Sequence, residues 1–170
     1  SYDSGSRCPL FYAVAYDKYH VAKYLVEMFP DCVHYIDAHG DTPLHAAASA
    51  GSSECMGLLL QYCDENSVNP VNSMGMTPVH LCQSMECLEL LHAAGADLLL
   101  SDGNGRGALF IAAAMNRTEC VQYLIDCLDM NEEYLCAQDV RGDTPLHAAA
   151  CNGATDSLLL LLQCGISPLM

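Results

Sequence analysis

The sequence predicts an all-α solenoid of stacked helix-turn-helix units carrying short β-hairpin fingers. Three observations predict it: a tetrapeptide recurring at regular spacing, a cluster of turn formers ahead of it, and a glycine break between the two apolar segments that follow. Thr-Pro-Leu-His stands at Thr42-Pro43-Leu44-His45 and at Thr144-Pro145-Leu146-His147, with Thr77-Pro78-Val79-His80 between them. Two degraded copies, Cys8-Pro9-Leu10-Phe11 and Gly107-Ala108-Leu109-Phe110, complete a series whose second positions fall at 9, 43, 78, 108 and 145. Steps of 34, 35, 30 and 37 residues mark supersecondary units that each bury an apolar face on their neighbours.

Taken in order, the first unit starts at the Cys8-Pro9 copy and carries Lys18, Tyr19, His20 and Lys23, polar as a terminal cap would be. In the second, Asp37-Ala38-His39-Gly40-Asp41 is dense in turn formers, and Gly40 supplies the positive φ of a tight tip. Thr42 caps a helix whose first position is Pro43, where a missing N–H costs nothing. That helix runs through Ala46, Ala47 and Ala48 to a break near Gly51, and Cys55, Met56, Leu58, Leu59 and Leu60 form the stripe of a second helix. The third unit has 15 residues from His80 to Gly95 where the fifth has 18 from His147 to Gly165, so its helices or their connection are shortened. The fourth, with Gly107-Ala108 for Thr-Pro and Phe110 for histidine, lacks the hydroxyl cap and should start its helix weakly. The fifth repeats the second, with a turn at 139–143, a first helix from Thr144, a break at Gly153 and a second helix over 157–163.

With Gly95-Ala96-Asp97 after a leucine-rich helix, this pattern resembles the ankyrin family over nearly the whole chain. The resemblance implies one ankyrin-repeat domain over 1–170, with repeats at about 3–36, 37–71, 72–101, 102–138 and 139–170. It implies that the motif histidines bond the neighbouring hairpin and that partners bind a concave face of finger tips and first helices. Carried over position by position, that face comprises Ala38, His39 and Asp41, then Ser73, Met74 and Met76, then Gly103, Asn104 and Arg106, then Val140, Arg141 and Asp143. The first helices add Tyr16, Ser49, Ala50, Met115, Cys151 and Asn152. Met74 and Met76 are expected to pack on a partner's apolar side chain or on the next finger. Asn69, in a Val-Asn pair, resembles asparagines that are hydroxylated in some ankyrin proteins; a hairpin hydrogen bond is the plainer reading.

Composition limits the function. An apolar fraction of 52% excludes disorder, and 21 acidic against 6 basic residues, net −15, repel phosphate and anionic lipid while steering basic partners. A protein partner is expected, with no nucleic acid, no membrane insertion and no cofactor. The eleven cysteines form no Cys-x-x-Cys pair, and several, such as Cys55, Cys120 and Cys127, fall at apolar helix positions. They read as small hydrophobes of a reducing compartment, cytoplasm or nucleus.

His45, His80 and His147 recur one repeat apart, too far to share a metal at bond distances of about 2 Å. Cys82 or Cys87 beside His80 lacks an orienting third group or an oxyanion hole, and no catalytic motif stands elsewhere. The expectation is therefore a non-enzymatic protein-interaction module. The alternative is an intramolecular segment that regulates an adjoining Arf GTPase-activating, lipase or kinase domain. Long connections at 63–72 and 128–139 provide surface variation, and the leucine run at 158–162 leaves no polar face, as if a further repeat covered it.

Overall fold

The computed structural model describes residues 7–64, 67–128 and 132–166. Parts of the two long connections, 65, 66 and 129–131, and the chain from 167 onward lie outside the described residues. The chain divides between Asp97 and Leu98 into two units.

The first unit contains α1 (Pro9–Ala15), α2 (Tyr19–Met28), a 3-10 turn (Pro30–His34), α3 (Pro43–Ala50), α4 (Ser53–Leu60), α5 (Pro78–Leu81) and α6 (Met85–Ala93). First helices pack on first helices, α1 on α3 and α3 on α5, and second on second, α2 on α4 and α4 on α6. Ala47 and Ala48 are fully buried, and their small side chains allow that close approach. Leu10, Leu44, Met56, Leu59, Leu88 and Leu91 fill the space between the layers. Each such side chain contributes about 1.5–3 kcal/mol on burial. Helices of ten residues or fewer are marginal alone, so packing between repeats holds them.

Each Thr-Pro-Leu-His copy starts its helix with a reciprocal cap. The N–H of Thr42 donates to His45 Nδ1 at 3.0 Å, that of Thr77 to His80 Nδ1 at 3.1 Å, and that of Thr144 to His147 Nδ1 at 3.3 Å. Histidine at the third helical position thus does what glutamate or glutamine does in a capping box. The shortening expected in the third repeat falls on its first helix: α5 has four residues against eight in α3. The connection that follows is tied back by the Gln83 N–H, which donates to the Ala48 carbonyl at 3.0 Å.

The break after the first helix is a left-handed residue in every repeat but the third, where α5 ends on Cys82 at φ −52°. Gly51 and Gly153 supply it at φ 68°, as the sequence predicts. Asp17 (φ 53°) and Asn116 (φ 56°) supply it in the first and fourth repeats, side-chain types that tolerate this region. Asn116 also uses its amide: Oδ1 accepts the Ser157 N–H at 3.0 Å and Nδ2 donates to Asp156 at 3.2 Å.

The second unit contains α7 (Ala108–Ala114), α8 (Thr118–Cys127), α9 (Glu132–Leu135), α10 (Pro145–Asn152) and α11 (Thr155–Gln163), with α7 on α10 and α8 on α11. Ala112, Ala113, Ala148 and Ala149 line the first contact, and Leu124, Ile125 and Leu161 sit among the buried residues of the second pair of helices. The weak start expected for α7 is remedied from elsewhere. Its N-cap, Gly107, has no side chain to offer, and the buried Tyr134 hydroxyl accepts the Leu109 N–H at 3.4 Å while donating to the Leu98 carbonyl at 3.1 Å.

Two outer faces differ from a simple polar cap. Lys18, His20 and Lys23 are exposed as expected, yet α2 also turns Val21, Tyr24 and Met28 to the outside, one apolar stripe. On α11, Leu161 is fully buried while Leu159 and Leu162 are 52% and 38% exposed.

Candidate functional site

Four fingers share one construction. A buried Asp or Asn opens each turn, and its side-chain Oδ1 accepts two backbone N–H groups from the tip: Asp37 from His39 and Asp41, Asn72 from Met74 and Met76, Asp102 from Asn104 and Arg106, Asp139 from Arg141 and Asp143. The main chain closes behind it, as in Asp37 N–H to Asp41 O at 2.9 Å and Gly40 N–H to Asp37 O at 3.0 Å. The fingers are thus tight turns; among the described residues the one isolated β-bridge joins Ser101 and Gly107.

Neighbouring fingers are linked within each unit. The Ser73 N–H donates to the His39 carbonyl at 2.9 Å, and the Val140 N–H to the Asn104 carbonyl at 2.9 Å. Asn72 Nδ2 donates to Asp41 Oδ1 at 2.8 Å. His45 adds the link its family resemblance implied. Its Nδ1 is an acceptor for Thr42 N–H, so Nε2 carries the proton and donates to the Met76 carbonyl at 2.9 Å. Burial pushes its pKa down, so the ring is neutral at pH 7 with both nitrogens occupied.

Charge at the finger bases is also committed to the frame. Burial opposes ionisation of Asp37 and Asp102, but the Arg7 guanidinium at 2.9 Å from Asp37, that of Arg106 at 2.6 Å from Asp102, and the tip N–H groups hold both carboxyls below their ordinary range. Asp139 moves the same way: desolvation raises it, and the N–H groups of Asp143 and Arg141 more than offset that.

The side chains expected to contact a partner now sort by position. Tyr16, Ala38, His39, Ser49, Ala50, Ser73, Met74, Asn104, Met115, Val140, Arg141, Cys151 and Asn152 are exposed, and Asp41, Arg106 and Asp143 are half-buried. Met76 departs from the expectation of paired tip methionines. It is 8% exposed, turned inward where Asn72 holds its N–H, and is part of the core. Arg106 is held by Nε and Nη2 on Asp102 of its own finger, so replacing it would disturb the turn as well as any contact.

In the first unit the inner helices and fingers enclose a cavity of about 310 Å³. Phe11, Tyr12 and Tyr16 of α1 and its end form one wall, Asp37 and Asp41 the finger side, and Ser49 and Ala50 the end of α3. No sequence signal announced this cavity, because its walls come from three repeats, Leu81 of α5 included.

The eleven cysteines are free thiols, six of them buried, and desolvation pushes Cys32 and Cys55 up to about 11, away from nucleophilic chemistry. Asn69 Oδ1 accepts the Asp97 N–H at 3.0 Å, a bond between the segments that lead into the second and third fingers rather than within a finger. Among the described residues no group of three His, Cys, Asp or Glu side chains converges on a common point, and no helix is long and apolar enough to cross a membrane.

Capped helix pairs, buried alanine seams and Asx-based fingers define a repeat scaffold, and comparison with known families agrees. The family described as ankyrin repeats (3 copies) matches residues 10–102 and 82–170, and the chain belongs to it. Among curated proteins, the chain is 32% identical over 142 residues to the nuclear factor NF-kappa-B p105 subunit of Gallus gallus, covering 80% of this chain and 14% of that protein. It is 30% identical over 135 residues to the B-cell lymphoma 3 protein homolog of Mus musculus, covering 76% and 30%. With the probable 26S proteasome regulatory subunit p28 of Saccharomyces cerevisiae it shares 25% identity over 166 residues, covering 95% and 72%. The chain thus spans less than a third of the first two relatives' lengths. Ankyrin repeats mediate protein–protein interaction, typically without catalysis of their own.

Proposed function

We propose that this chain binds a partner protein through the tips of its fingers and the adjoining ends of its first helices, in a cytoplasmic or nuclear setting. The observation that carries this reading is the division of labour in each finger. The recurring residues are consumed by the frame, whereas the side chains of Tyr16, Met74, Met115 and Val140, which differ from repeat to repeat, are exposed and make none of the frame bonds described above. Exposed aromatic and methionine side chains are what interface cores use. The net charge of −15 favours a basic partner and disfavours nucleic acid. The intramolecular alternative, in which the segment packs on an adjoining catalytic domain of a longer protein, draws support from the apolar stripe Val21, Tyr24 and Met28, which lies away from the fingers.

Two double variants separate the readings. Affinity capture with the wild type, with Met74→Asp/Met115→Asp and with Val21→Asp/Tyr24→Asp is compared at matched helical circular dichroism. Loss of captured proteins with the first pair alone is the expected result. Capture unaffected by the first pair and abolished by the second would overturn the finger surface.

A further inference from the structure

The cavity in the first unit has a composition that the interaction role alone does not explain. At about 310 Å³ it lies at the lower limit of ligand pockets, which run to about 1,000 Å³. That is room for one long side chain rather than a cofactor. Tyr12 and Tyr16 are 40% and 68% exposed, aromatic surface left in water at its rim, and Phe11 is buried beneath. Opposite them stand the carboxylates of Asp37 and Asp41.

Those two carboxylates differ. Asp37 is paired with the chain's own Arg7, whose Nε donates at 2.9 Å, and it spends its other oxygen on two tip N–H groups. Asp41 accepts one hydrogen bond, from the neutral amide of Asn72 at 2.8 Å, and has no cation beside it among the described residues. With His45 neutral, Arg7 and Asp37 cancel, and the cavity retains the negative charge of Asp41 against an aromatic wall.

We propose that this cavity receives an arginine side chain from the partner, its guanidinium stacked on Tyr16 and hydrogen-bonded to Asp41. The inference rests on the interaction reading above and names the chemistry of one contact in it. A guanidinium suits the site better than an ammonium because it is planar, more weakly hydrated, and able to stack on a ring while its edge donates to a carboxylate. Arg7 on Asp37 shows the same finger already accepting a guanidinium. The overall charge of −15 draws cations to the surface, and the cavity is where an aromatic face accompanies the carboxylate.

The test uses N-acetyl-Gly-Arg-Gly-amide and its lysine and citrulline counterparts, titrated into the isotope-labelled chain and followed by amide chemical shifts. The arginine peptide is expected to perturb residues around Tyr12, Tyr16, Asp41 and Ser49, at least about threefold more tightly than the lysine peptide, with citrulline weaker still. Tyr16→Ala and Asp41→Asn are each expected to abolish that preference. Both keep the frame: Tyr16 is exposed, and asparagine retains the Oδ1 that accepts from Asn72. Shifts scattered over the acidic surface, equal affinity for arginine and lysine, or indifference to both substitutions would overturn the pocket. The peptide is read directly, so that failure would leave the capture result with Met74→Asp/Met115→Asp standing.

Discussion

The hydroxyl of Tyr134 lies 3.4 Å from the backbone nitrogen of Leu109 and takes its N–H, so the second position of α7 is capped from a short helix 25 residues further along the chain. Leu109 is where an N-cap side chain would deliver its bond, and Gly107 has none to deliver. The same hydroxyl donates to Leu98 at 3.1 Å, fixing the preceding strand of chain against the helix start. The repeat that lost its Thr-Pro has thereby gained a cap that no other repeat of the chain uses among the described residues.

Tyr134→Phe is therefore expected to destabilise the second unit by about 1–2 kcal/mol, the range for losing a cap and leaving a buried carbonyl unpaired. Gly107→Ser offers a control with a definite sign. The N-cap has φ −80° and ψ 173°, open to any residue, and a Cβ there would meet the Tyr134 hydroxyl at 3.6 Å, ordinary contact. Serine should restore most of the loss in the Tyr134→Phe background. Urea unfolding and hydrogen exchange at the Leu109 amide read both steps, and a double variant no more stable than Tyr134→Phe would refute the cap.

In the first unit, His45→Ala removes a buried ring that joins Thr42 to Met76. It leaves the Thr42 N–H without its ring acceptor, removes one of the two bonds to the Met76 carbonyl, which keeps the Asn72 N–H at 3.0 Å, and opens a void, an expected cost of about 2–4 kcal/mol. Because Asn72 and Met76 belong to the next finger, the amides of residues 72–76 should exchange faster, beyond the helix that carries His45. Loss confined to α3 would show that the Nε2 link to the finger contributes nothing.

The frame was legible in the sequence to the extent that it repeats. Thr42, Thr77 and Thr144 announced helix starts, and Gly51 and Gly153 announced breaks, because each meets a local backbone demand at a fixed offset. Asp17 and Asn116 meet the same demand with residue types that are unremarkable in a sequence, so those breaks were not foreseen. Tyr134 could not be read at all: a cap supplied through space by a loop of irregular length leaves no periodic trace. Met76 is buried despite its place at a finger tip, because the Asn72 side chain draws the Met76 N–H inward. The aromatic and acidic cavity combines α1 with the following finger, and such pairings depend on tertiary approach rather than spacing.

Acid should weaken the protein in two windows, set by shifts of one sign. Burial lowers the His45 pKa, so the native state resists a proton that the unfolded chain accepts, and stability falls as pH drops below about 6.5. Asp37, Asp102 and Asp139 are held below their ordinary range, so their contribution is complete above about pH 4 and is lost as pH falls through their native values. Relief of the −15 net charge opposes both trends, so each is read as a difference from wild type, where that background cancels. His45→Gln should flatten the upper window. The triple change to asparagine at 37, 102 and 139 should flatten the lower while preserving the turns, since Asn72 builds the same turn naturally. Parallel melting-temperature curves across pH 3–7 for all three proteins would contradict the assignment.

Gly40 and Gly142 occupy the same place in two fingers, at φ 76° and 84°, but among the described residues only Gly40 has a close neighbour. A Cβ on Gly40 would stand 3.1 Å from the Ser73 nitrogen and 3.2 Å from its Oγ, whereas one on Gly142 meets nothing within 4 Å among the described residues. Gly142→Ala should therefore show backbone strain alone, about 1–2 kcal/mol for an L-residue in the left-handed region. Gly40→Ala carries that strain and also pushes on the Ser73 N–H that donates to His39, so its cost should exceed the other by about 1 kcal/mol, the worth of a typical hydrogen bond. Urea midpoints of the two variants measure the difference. If they coincide, the fingers owe their conformation to the tip glycine alone, and the link from His39 to Ser73 contributes no stability.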